Sequence, residues 1–148
     1  MGNTSTIPTT PSSHHDKDEF APEIHLTGNN FRIENNGQVF LIPTEENNNG
    51  TEMTRGIVVF YAPWCHYCKE FAPVCNQYAQ QLTGSSFNFR AVDCTDTAHN
   101  GPLTKALNIR SYPTLKYIDP ATQEVRPLNI RRTKKDIGNF LREQNLIV

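Results

Sequence analysis

Ile57-Val58-Val59-Phe60-Tyr61 is an unbroken run of β-branched, aliphatic and aromatic residues. Such a run offers no face to water, so it suits a strand covered on both sides, in the middle of a sheet. The residues after it narrow the choice. Beyond Ala62-Pro63-Trp64, the residues Phe71, Cys75, Tyr78 and Leu82 recur at spacings of four, three and four, which trace one face of a helix. That helix is expected from near Cys65 to near Gly84, with a kink at Pro73.

The remaining pattern extends the sheet. Phe87 to Val92 alternates as a strand does, and Leu103 to Leu107 reads as a short helix opened by Gly101-Pro102. Thr114 to Ile118 and Glu124 to Leu128 read as strands joined by a turn at Asp119-Pro120. Thr133 and Asp136 resemble a capping box ahead of the apolar face Ile137, Phe140 and Leu141. The order from Ile57 onward is β-α-β-α-β-β-α, which predicts an α/β fold, a mixed central sheet flanked by helices on both faces.

Upstream, Ile24 to Leu26 is a candidate short strand. Phe31 to Ile33 and Gln38 to Ile42 flank Asn35-Asn36-Gly37 as a hairpin. Glu45 to Thr54 is polar and reads as a loop or a frayed helix. Residues 1–22 carry little to bury and read as a disordered tail, which leaves residues 23–148 as one domain. A formal net charge of -1 gives no reason to expect nucleic acid as a partner. No basic start followed by an apolar run marks a signal peptide, and no segment has the length of a membrane span, so the expected compartment is cytosolic. Met1-Gly2-Asn3-Thr4-Ser5-Thr6 fits the myristoylation pattern at Gly2. One acyl chain would give only weak, reversible membrane contact.

Cys65 and Cys68 sit where the central strand hands over to the helix. The first turn of a helix has unpaired amide hydrogens and partial positive charge, which stabilise a thiolate. The spacing puts the second sulfur one turn on, close enough to form a small disulfide. Cys65 is therefore expected to face outward as the nucleophile, and Cys68 inward as the resolving thiol. The chemistry is thiol–disulfide exchange with cysteine-containing protein substrates, without a cofactor.

The segment Val59-Phe60-Tyr61-Ala62-Pro63-Trp64-Cys65-His66-Tyr67-Cys68-Lys69 resembles the active-site segment of thioredoxin-fold proteins, most of all protein disulfide isomerase domains. Ile109-Arg110-Ser111-Tyr112-Pro113-Thr114 is similar to a second family segment, and Pro73 also matches the family. The resemblance covers about Ile57 to Leu141. It implies a thioredoxin fold, a cis Tyr112–Pro113 bond facing the active-site sulfurs, and backbone beside it that pairs with extended substrate. It further implies that Arg110 approaches the inner cysteine and favours its thiolate.

Three features depart from the family. Val59 stands where many members have a buried acid that takes the proton of the inner cysteine. His66-Tyr67 stands where Gly-Pro or Gly-His is common, and that pair tunes the potential. Thioredoxin and isomerase potentials differ by about 90 mV, or about 4 kcal/mol for two electrons. The Phe31–Ile42 hairpin replaces a strand and helix. Cys75, on the apolar helix face, is expected to be an inert core thiol, and Cys94 to be inert or substrate-facing. Zinc on Cys65, Cys68 and His66 would need four ligands, and the sequence has no second C-x-x-C to complete the set. The alternative from another class is a binding or scaffold module whose cysteines turn over little. An exchange enzyme would also need a partner that regenerates its redox state.

Overall fold

The computed structural model describes residues 17–46 and 52–148 of the chain. Gly2 lies outside the described residues. Two short strands, β1 (Phe31–Ile33) and β2 (Val39–Leu41), form an antiparallel hairpin. They are followed by β3 (Arg55–Tyr61), α1 (His66–Gln81), β4 (Phe87–Asp93), α2 (Thr97–Ala106), β5 (Thr114–Asp119), β6 (Glu124–Pro127) and α3 (Lys134–Glu143). The main sheet runs β4-β3-β5-β6, parallel between β3 and β4 and antiparallel elsewhere. The hairpin turns at Gly37, whose φ of 87° suits a residue without Cβ.

β3 is the middle of the molecule because both of its faces are apolar. Ile57, Val59 and Tyr61 enter one core with Phe71 and Cys75 of α1 and Ile137 and Leu141 of α3. Val58 and Phe60 enter the other with Leu103 of α2 and Phe31 and Leu41 of the hairpin. The expected mixed sheet with helices on both faces is what the chain builds. At Gly56 the parallel partner comes so close that a Cβ would run into the Asn88 carbonyl. α1 continues through Pro73 as one helix.

Three expectations are corrected. Packed residues extend upstream of residue 23. Lys17 to Pro22 lie among the described residues, and Phe20 is 3% exposed with its ring centroid 4.1 Å from that of Tyr61. The Ala21 amide donates to Asn76 Oδ1 at 2.9 Å, and Asn76 Nδ2 donates back to the Glu19 carbonyl at 2.7 Å. The predicted strand at Ile24–Leu26 is a tight turn over Pro22–Ile24 and a single parallel bridge from His25 to Ala91. α2 begins at Thr97 under an Asp96 cap, so Pro102 is interior rather than at the start. Its first turns hold by polar contacts that have no apolar period. Buried Asn100 accepts from the Gly28 amide at 2.8 Å and donates to the Asp93 carbonyl at 2.8 Å.

Candidate active site

Cys65 is the N-cap residue of α1, with extended backbone at φ -77°, ψ 124°. The turn Ala62-Pro63-Trp64 swings the chain from β3 into the helix, closed by the Cys65 amide donating to the Ala62 carbonyl at 3.1 Å. No side chain caps the helix at Cys65. The partial positive charge of the first turn therefore faces the Cys65 position. Cys68 lies one turn further along the same end. The exposures, 9% for Cys65 and 1% for Cys68, give the outer and inner sulfurs that the spacing predicts. Both are thiols in this structure and share a hydrogen bond.

The loop before β5 closes the site from the other side. Tyr112–Pro113 is cis, as expected, and the Cys65 thiol donates to the Tyr112 carbonyl at 3.6 Å. A segment far along the chain thus lies against the outer sulfur. Trp64 and Tyr67 stand around it at 48% and 64% exposure, and the Trp64 ring meets Tyr112 edge-on at 6.0 Å.

Burial pushes the Cys68 thiol up to about 12, and the neighbouring Cys65 and Cys94 add to the shift. Val59, which stands where the family resemblance would place an acid, is apolar and fully buried between Ala91 and Leu115 in the sheet. The inner thiol therefore holds its proton firmly. His66 lies in solvent with its Nε2 3.4 Å from Glu70 Oε2, so it is directed along the helix surface. Arg110 is exposed and donates from Nε to Asn108 Oδ1 at 2.8 Å.

Cys75 is fully buried in α1, and burial pushes its thiol well up. Cys94 is slightly more buried than Cys65, donates to the Val92 carbonyl at 3.8 Å, and is pushed up to about 12 by burial and then by Asp93.

One cluster is absent from the sequence expectations. Tyr61 ends β3, and its hydroxyl donates to Asp18 Oδ2. The same hydroxyl lies 2.6 Å from His25 Nε2, which is 3.2 Å from Asp18 Oδ2. Burial alone would lower His25, but its contacts with Asp18 outweigh that and hold it above its usual value. Burial alone would raise Asp18, but hydrogen bonds from His25 and Tyr61 hold it below its own. Burial and the hydrogen bond to Asp18 push the Tyr61 phenol up. Phe20, Tyr61, Ala62 and Cys68 line one small cavity, so of this cluster Tyr61, with Phe20, backs the inner cysteine. The only sequence signal was Phe20, a single aromatic residue at the edge of a polar stretch.

Among the described residues, no helix is long and apolar enough to cross a membrane. The thioredoxin family model matches residues 43–143. A protein disulfide-isomerase of Drosophila melanogaster is 33% identical over 85 residues, covering 57% of this chain and 16% of that protein. Protein disulfide-isomerase 1 of Caenorhabditis elegans is 40% identical over 75 residues, 49% of this chain and 14% of that protein. The chain thus spans less than a fifth of the length of these relatives. Human ERp44 in a zinc-bound form superposes with a TM-score of 0.52 at 23% identity, over 61% of this chain and 27% of that one, a likeness of fold. With its reacting end built as described and its matched segment running from before β3 to the end of α3, the chain belongs to the thioredoxin family and is similar within it to protein disulfide isomerase domains.

Proposed function

We propose that this chain exchanges disulfides with cysteine-containing proteins through Cys65 and Cys68. The observation that carries the reading is the placing of Cys65 at the uncapped start of α1, 3.6 Å from the Tyr112 carbonyl, with Cys68 buried behind it. The Cys65 thiolate attacks one sulfur of a substrate disulfide. A Cys65–substrate disulfide forms, and the other substrate sulfur leaves as a thiolate that takes up a proton. Cys68, deprotonated, then attacks Cys65 and releases the second substrate thiol. Two electrons pass to the substrate, and the protein is left with a Cys65–Cys68 disulfide. A dithiol partner regenerates it. Run backwards, the same steps oxidise a dithiol. Pro113 shapes the loop against which the substrate chain lies.

Insulin reduction and oxidative refolding of a reduced protein test the reading in its two directions, and the Cys65–Cys68 potential ranks them. Turnover in neither direction would sink it. The firmly held Cys68 proton over an apolar Val59 favours a second reading, a module that captures partners as mixed disulfides and releases them slowly. Slow release with fast capture would select that reading. Acylation of Gly2 would add weak membrane contact. An intact mass of the native N-terminus matching the unmodified residue would exclude it.

A further inference from the structure

A groove of about 810 Å³ opens beside Pro113, between α1 and the segment leading into α3. One end is Tyr67, one of the two exposed residues between the cysteines. Its floor includes buried Phe71 and Leu115. Its far end is Arg131 and Arg132, both exposed, in the irregular stretch after the Leu128 amide pairs with the Leu115 carbonyl. Apolar floor and basic end thus lie on one continuous surface that includes Tyr67 and Pro113, neighbours of the reacting pair in the chain and in the fold.

The charge at the far end is not balanced. No ion pair or hydrogen bond engages the guanidinium of Arg131 or Arg132 among the described residues. Two further cations, Lys134 and Lys135, follow in the first turn of α3, where the helix already carries partial positive charge. The acids nearby are engaged. Glu70, on the opposite wall, faces His66, and Asp136 accepts from the Thr133 hydroxyl at 2.6 Å. Two free guanidiniums at the end of an apolar trough match a chain that lays apolar side chains on the floor and carboxylates at the end.

We propose that this groove selects substrates, binding an extended segment whose Asp or Glu side chains, a few positions from the reacting cysteine, meet Arg131 and Arg132. The proposal rests on the exchange reading above. It names what that reading leaves open, the chemistry of the substrate around its cysteine.

The test uses peptides with one cysteine capped as a neutral mixed disulfide with mercaptoethanol. One set carries two Glu residues within a few positions of the cysteine, on either side, and a matched set carries Gln. The acidic set should react about fivefold faster at low salt, the scale of two partly exposed charge pairs. The Glu-to-Gln ratio should fall towards one in the double variant Arg131→Gln/Arg132→Gln, and shrink with added salt in the wild type. Equal rates in the wild type, or a ratio that survives the double variant, would overturn the proposal.

Hydroxyethyl disulfide separates the two levels. If the protein reduces neither that compound nor any peptide, the exchange reading fails. The groove is then judged on binding, followed by the fluorescence of Trp64, the one tryptophan of the chain. Tighter binding of the acidic peptide with its cysteine replaced by serine supports the groove, and equal binding overturns it. Phosphatidylserine vesicles form the last arm. Arginine-dependent binding to them, without discrimination between peptides, would assign the basic end to a membrane surface and overturn the proposal.

Discussion

The thiol of Cys65 donates to the carbonyl oxygen of Tyr112 across 3.6 Å, joining the start of α1 to a loop 47 residues further along the chain. This contact places the outer sulfur at the surface on which a substrate backbone would lie. The inner sulfur of Cys68 is displaced from that surface into the core. Access therefore distinguishes two otherwise identical thiols.

Cys65→Ser should reduce disulfide exchange to the uncatalysed background, because the outer sulfur is lost. Cys68→Ser should still complete the first attack and then stall. Mass spectrometry should find substrate attached at Cys65 in the stalled protein, and none in the double variant. A stalled adduct on Cys75 or Cys94 would reverse the assignment of roles.

The resolving step should accelerate with pH. Only the thiolate attacks, and Cys68 is pushed up to about 12 mainly by burial, which persists when Cys65 is joined to substrate. Well below that value the thiolate fraction rises tenfold per pH unit. Release from a preformed mixed disulfide, followed by stopped flow, should climb through pH 7 to 10 without a plateau. Val59→Asp places a proton acceptor at the family position and should speed release at pH 7. It should also lower stability by about 1–3 kcal/mol, because the carboxyl is buried without a designed partner. An unchanged release rate in a folded variant would show that proton transfer from Cys68 does not limit the step.

The fold from β3 onward was legible because its signals are local and strong. Ile57 to Tyr61 is short, β-branched and aromatic, as a doubly buried strand is, and the Phe71-Cys75-Tyr78-Leu82 spacing traces a helix face. The cysteine pair and Tyr112-Pro113 were readable for the same reason, as short motifs at element ends. What escaped depends on polar contacts over long separations. Asn100 stabilises the start of α2 by reaching Gly28 and Asp93, and no apolar period records that. Asp18 finds Tyr61 and His25 only after the chain has folded back.

The Asp18–His25 contact should stabilise the N-terminal segment over a defined pH window. His25 is held above its usual 6.5, so its contribution is complete below that value and is lost as pH rises through its folded pKa. Asp18 is held below its usual 3.8, so its contribution is present above that value and is lost as pH falls through its folded pKa. Hydrogen exchange of the Ala21 and Leu26 amides should therefore be slowest near pH 4 to 6.5, after correction for intrinsic rates. Since the pair is partly exposed, Asp18→Asn should reduce protection by no more than about 1 kcal/mol and flatten the profile. A profile unchanged by that substitution would remove the pair as its cause.

Phe20 tests whether residues before 23 belong to the core. Its ring is 3% exposed and lies on Tyr61, which is fully buried at the end of β3. Truncation to alanine removes an aromatic side chain from packed surroundings and should cost about 3 kcal/mol, measured by urea unfolding. A flexible tail would give a change near zero. The same loss should reach the active site, because Phe20, Tyr61 and Cys68 line one cavity. With Phe20→Ala, water gains a route to the inner thiol, the burial that raises Cys68 weakens, and its pKa should fall. Alkylation of Cys68 in the Cys65→Ser background should then proceed at lower pH than in the same background with Phe20 intact. A loss of stability without that shift would make the segment a structural strap that has no influence on the reacting pair.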